Sequence, residues 1–125
     1  LFRYQKDRLN LGLLVSNETK QKGKGKEDET RLAGSAFATM QLGDKLTALG
    51  RIDRNFDPHA TGEKISYLPH ADTAASNTII LGVDWSPAAN THIIPNLVAI
   101  LYDEPEKGNK PDMDLQPRLT LYYKF

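Results

Sequence analysis

Three histidines, His59, His70 and His92, are the only imidazoles in a chain of 125 residues that has no cysteine. They stand too far apart for the short His-x-His or Cys-x-x-Cys spacings that build a metal site, so neither a metal nor a cofactor is expected. The lack of cysteine removes disulfides, thiolate ligands and a thiol nucleophile together. Serine and histidine are both present, as a hydrolase would require, yet nothing in the sequence places a serine, a histidine and a carboxylate together. GxSxG, HExxH and Walker-type motifs are missing, and "GKGKE" is too short and wrongly spaced for a phosphate loop. The sequence predicts no enzyme.

The charged residues carry the remaining chemistry. Sixteen basic and sixteen acidic residues cancel, leaving no overall field to recruit nucleic acid. One run, "KQKGKGKEDE", sets Lys20, Lys22, Lys24 and Lys26 beside Glu27, Asp28 and Glu29. Such a run could touch lipopolysaccharide phosphates, but it is more commonly a solvated loop.

The elements that hold these side chains read as strands. "QPRLTLYYKF" splits at period two, with Pro117, Leu119, Leu121, Tyr123 and Phe125 on one face and Gln116, Arg118, Thr120, Tyr122 and Lys124 on the other. The same alternation recurs in "RLNLGLLVS", "LAGSAFATMQL", "KLTALGRIDRNF", "TIILGVDWS" and "HIIPNLVAILY". In the second of these, Phe37 falls on the polar side. No segment combines an N-cap with a sustained apolar stripe at helical spacing. The fold class expected is therefore all-β, an antiparallel up-and-down meander of roughly six strands, each about the ten residues that cross a bilayer when tilted.

Connections alternate between short and long. "GD" or "GDK" and "SPAANT" are brief turns, whereas "NETKQKGKGKEDET", "DPHATGEKISYLPHADTAASN" and "DEPEKGNKPDMD" are long and polar. In a meander this places all short turns at one end and all long loops at the other, the asymmetry of an outer-membrane barrel. Phase agreement across the turns predicts Trp85 opposite Ile93, Val83 opposite Pro95, Leu81 opposite Leu97 and Ile79 opposite Ala99. It also predicts Leu42 opposite Leu46 around a three-residue turn, Gly43 to Lys45.

The terminal Phe125, preceded at alternate positions by Tyr123, Leu121 and Leu119, resembles the closing strand of bacterial outer-membrane β-barrels. "LGVDWSPAANTHIIPNLVAILYD" followed by "RLTLYYKF" is similar to the last three strands of porin-type barrels. The resemblance implies a bacterial outer-membrane location, contact with lipid and lipopolysaccharide, and recognition of the last strand by the barrel-assembly machinery. It also allows a homo-oligomer such as a trimer. Because about eight strands are the fewest that close a membrane barrel, residues 1–125 are expected to be the C-terminal segment of one barrel domain. "LFRYQ" would end a preceding strand and "KD" would turn into the next.

On that reading the residues lining a lumen are Thr47, Arg51, Asp53, Asn55, Asp84, Asn96, Gln116, Arg118, Thr120 and Lys124. Trp85 and Phe56 would stand in the aromatic girdles at the two interfaces. Arg8, Lys45, Arg51, Arg118 and Lys124 outnumber Asp53 and Asp84, a mild excess that would favour anions. The function expected is passive diffusion of small hydrophilic solutes. The rivals are an outer-membrane adhesin or enzyme, and a soluble lipocalin-like barrel whose apolar face encloses a ligand.

Overall fold

Alternating side chains leave the backbone to find its hydrogen bonds between segments, and here it does so along nearly the whole chain. The computed structural model describes residues 1–20, 29–58, 70–71 and 73–125. Its elements are β1 (Phe2–Lys6), β2 (Leu9–Lys20), β3 (Glu29–Gly43), β4 (Leu46–Asn55), β5 (Ser76–Ala88), β6 (Thr91–Tyr102) and β7 (Asp114–Tyr123). They pair in chain order, each antiparallel to the next, as one seven-stranded open sheet with β1 and β7 at its edges. No helix occurs among the described residues. The all-β meander stands; the sheet is not a closed barrel.

Seven strands are described, the six read from alternation and "FRYQK", which as expected is a strand before a turn, paired to β2 from Phe2↔Leu13 to Lys6↔Leu9. The turn between them falls on Asp7 and Arg8. Asp7 takes φ 49°, a left-handed conformation that aspartate tolerates better than most residues because its short side chain can bond locally. Strands β2 and β3 also run further than expected, meeting at Lys20↔Glu29, so part of the polar stretch assigned to a loop is paired backbone. Lys22, Lys24, Lys26, Glu27 and Asp28, like His59, lie outside the described residues.

Register follows the pattern of faces. One row across the sheet reads Phe2, Leu13, Ala36, Ile52, Ile79, Ala99 and Leu115; the row beside it reads Arg3, Gly12, Phe37, Arg51, Ile80, Val98 and Gln116. The expected partners Trp85↔Ile93, Leu81↔Leu97 and Ile79↔Ala99 are all found. Val83 and Pro95 fall in a gap of the same ladder, between Gly82↔Asn96 and Trp85↔Ile93, where proline has no N–H to donate. The β3–β4 turn corrects the sequence expectation. Gly43, not Leu42, is opposite Leu46; Leu42 is the extra residue of a bulge, and the turn shrinks to Asp44 and Lys45.

The core sits on one side only. Val98, Ile100 and Tyr102 are buried with Ala74, and Ala71 and Ile80 pack against them. Residues 70–71 and 73–75 thus lie over the β5–β6 part of the polar face. Tyr102 Oη accepts from the Ala71 N–H at 3.1 Å and donates to Asp114 Oδ2 at 2.7 Å. His70 Nε2 stands 2.9 Å from Thr78 Oγ1, and the Asp103 N–H donates to the Ala75 carbonyl at 3.0 Å.

Candidate functional site

Two faces of opposite chemistry are the sheet's main functional feature. On the apolar face Leu13, Val15, Met40, Ile52, Leu81, Trp85, Leu97, Leu115, Leu119, Leu121 and Tyr123 all stand exposed, Leu121 at 70%. No second protein layer covers them among the described residues. Soluble monomers seldom leave so continuous an apolar surface open, so this face demands an apolar neighbour. Strands β2 to β7 each run ten residues or more, enough for the roughly nine to eleven that a tilted strand needs to cross hydrocarbon.

The opposite face gathers the residues assigned to a lumen. Register places Thr47 beside Asp84, Arg51 in the row of Gln116, Asn55 beside Ser76, and Asn96 between Gly82 and Arg118. Asp53 and Thr120 share that face, whereas Lys124 lies past the end of β7. Hydrogen bonds between strands knit the surface together: Asn10 Nδ2 to Thr39 Oγ1 at 3.5 Å, Asn55 Nδ2 to Ser76 Oγ at 3.3 Å and Asn96 Nδ2 to Thr120 Oγ1 at 3.3 Å.

One ion pair stands on this face, Arg51 Nε lying 2.8 Å from Asp53 Oδ1, while Arg118 donates to the neutral Gln116 Oε1 at 2.5 Å. Arg8 and Lys45 sit in the short turns rather than within the strands, Lys45 Nζ donating to the Pro87 carbonyl at 3.2 Å. The positive excess counted from sequence is correspondingly smaller on the polar face itself.

Large residues on the polar face are accommodated by small ones. A side chain on Gly12 would overlap the Phe37 ring, so the ring occupies the space above a glycine on the neighbouring strand. Leu49 Cδ1 approaches Gly82 in the same manner, 3.3 Å from where a Cβ would be. Both pairings explain how apolar residues that break the alternation fit without a second core. A long apolar side chain directly cross-strand from a glycine was the signal for them.

Near the short turns the structure assembles a cluster that the sequence did not reveal. His92 Nδ1 lies 2.9 Å from Asp84 Oδ1 and 3.0 Å from Ser86 Oγ, with the Tyr122 ring 5.6 Å away. A hydrolytic relay needs serine and carboxylate on different ring nitrogens. Here both meet the same nitrogen, which suits a turn-bracing knot rather than a nucleophile. The signal was the separation of Asp84 and His92 by a tight turn, which puts them on one face of paired strands.

Aromatic residues mark both ends. Trp85 lies in the row of Leu46, Ile93 and Leu121 near the short turns, and Tyr123 is one row further out, opposite Thr91. Phe125 lies beyond the end of β7, fully exposed, its ring edge-on to Tyr123 at 5.3 Å. Leu119, Leu121 and Tyr123 share the apolar face. At the other end Phe56 follows β4, half exposed, with the Arg54 guanidinium 5.4 Å above its ring. Arg54 also forms a bidentate pair with Asp103, at 3.0 and 2.5 Å. The guanidinium holds the Asp103 carboxyl below the usual carboxylate range. Among the described residues no group of histidine, aspartate and glutamate is arranged to hold a metal.

No known family model, no curated protein and no solved structure matches the chain.

Proposed function

We propose that the chain is part of a porin-like β-barrel of a bacterial outer membrane, through which small hydrophilic solutes diffuse passively. The observation that carries this reading is the exposed apolar face running across seven strands, backed by a polar face knitted by cross-strand hydrogen bonds. Lipid would cover the first face and water would fill the space before the second. In a soluble lipocalin-like barrel the apolar face would be the enclosed one; here residues 70–71 and 73–75 fold over the polar face instead.

On this reading no bond is made or broken, and selectivity comes from the width of the lumen and its wall charges. The balance of Arg51 and Arg118 against Asp53 and Asp84 favours weak ion preference, with any bias toward anions arising from the turn residues Arg8 and Lys45. The partners would be lipid, lipopolysaccharide, the assembly machinery reading Leu119, Leu121, Tyr123 and Phe125, and further copies in an oligomer such as a trimer.

The test is reconstitution of the full chain into planar bilayers from detergent. Discrete conductance steps, and a reversal potential near zero or slightly anion-selective in a salt gradient, are expected. A protein that stays folded and monomeric in plain buffer, and leaves bilayers silent, would sink the reading.

A further inference from the structure

A pocket of about 260 Å³ opens on the polar face between β2 and β5, near the long-loop end. Ser35, Arg51, Asp53 and Asn55 line it together with His70, and Leu14 supplies an apolar patch at one side. Arg51 and Asp53 are two residues apart on the same face and bonded through Nε and Oδ1 at 2.8 Å. Their charges therefore cancel locally while the pocket keeps both a guanidinium donor and a carboxylate acceptor at its wall.

That combination selects by chemistry. A carboxylate accepts hydrogen bonds from hydroxyl groups and a guanidinium donates to hydroxyl oxygens, so neighbouring hydroxyls on one small molecule can satisfy both at once. An anion would be drawn to Arg51 but repelled by Asp53, and a cation would meet the reverse. The apolar side formed by Leu14 suits the C–H face of such a molecule. The volume is just under the roughly 300 Å³ at which small-molecule sites begin, which limits the occupant to a single ring or short chain.

We propose that this pocket is a binding station for a small uncharged polyhydroxylated solute, a monosaccharide or a polyol, on its way through the lumen. The proposal rests on the channel reading, because only a solute inside the barrel reaches this face. Asp53 and Arg51 are the principal contacts, Ser35 and Asn55 the secondary ones.

The test uses the full chain in detergent and in bilayers, with D-glucose and mannitol as probes and inorganic phosphate and lysine as charged controls. Calorimetric titration is expected to show saturable glucose binding. Asp53→Asn and Arg51→Gln should each weaken it about tenfold, as loss of a hydrogen bond to a charged group does. Asp112→Asn, in the exposed β6–β7 loop, should leave it unchanged. Should either pair variant lose its strand circular dichroism, Ser35→Ala provides the same comparison with a smaller effect. Pores that conduct while glucose shows no saturable binding would overturn the proposal and leave the channel reading intact. Saturable phosphate binding that glucose does not displace would also overturn it, in favour of an anion site. Silent bilayers with glucose binding that Asp53→Asn abolishes would overturn the channel reading and keep the pocket.

Discussion

Asp103 shows how a single contact can carry a pH dependence. Its carboxyl lies just past the end of β6, hydrogen-bonded to both terminal nitrogens of Arg54. Arg54 lowers its affinity for protons, mainly through those hydrogen bonds. A carboxyl whose value is depressed on folding contributes stability in full above its unfolded value of about 4. That contribution is lost as pH falls through the lowered value. Unfolding of the native chain should therefore become easier on acidification below about pH 4, and Arg54→Gln should flatten that part of the profile while leaving the neutral-to-alkaline part parallel. Because the pair is partly open to solvent, added salt should shrink the difference. Urea midpoints measured from pH 2 to pH 7 check this; identical acid slopes for the two proteins would refute it.

At the scale of elements, the pairing of Phe37 with Gly12 joins β2 and β3 on the polar face. Gly12→Ala should destabilise the sheet by about 1–3 kcal/mol, the usual penalty for overpacking. The penalty should nearly vanish when Phe37→Leu removes the ring first, and a double-mutant cycle read from denaturant midpoints measures the coupling directly. An additive pair would show that the ring does not depend on the glycine. Most of the strands were legible in the sequence because period-two alternation survives even where one residue departs from it. The register across β5 and β6 was legible for the same reason, since a one-residue slip would turn Leu81 and Leu97 to opposite faces. Other features were not legible. The bulge at Leu42 depends on a local backbone choice that the side-chain pattern does not record, whereas β1 was legible as the end of a strand that turns at Asp7 into the next. The placing of Arg51, Asp53, Asn55 and Asn96 on one face followed from parity. The Asp84–His92–Ser86 cluster did not, because it depends on how two strands fold back at one turn.

For the molecule as a whole, the exposed apolar face predicts a dependence on depth. Leu81 stands in a middle row with Tyr4, Leu11, Ala38, Gly50, Leu97 and Pro117, whereas Trp85 stands near the short turns. With lipid against this face, Leu81→Arg should cost about 2–4 kcal/mol and an arginine at the Trp85 level about 0–1 kcal/mol beyond the loss of the indole. Equilibrium refolding into phospholipid vesicles measures both. Equal penalties at the two levels, or none, would mean that the face meets something other than a bilayer.

Pairing strictly between neighbours in sequence also has an evolutionary consequence. Each hairpin carries its own two-faced pattern, and each strand packs only against the strand next to it in the sheet. Duplicating or deleting one hairpin would widen or narrow the sheet while leaving every remaining register as it was, so in the proposed barrel the bore would change by whole hairpins without the rest of the chain being rewritten.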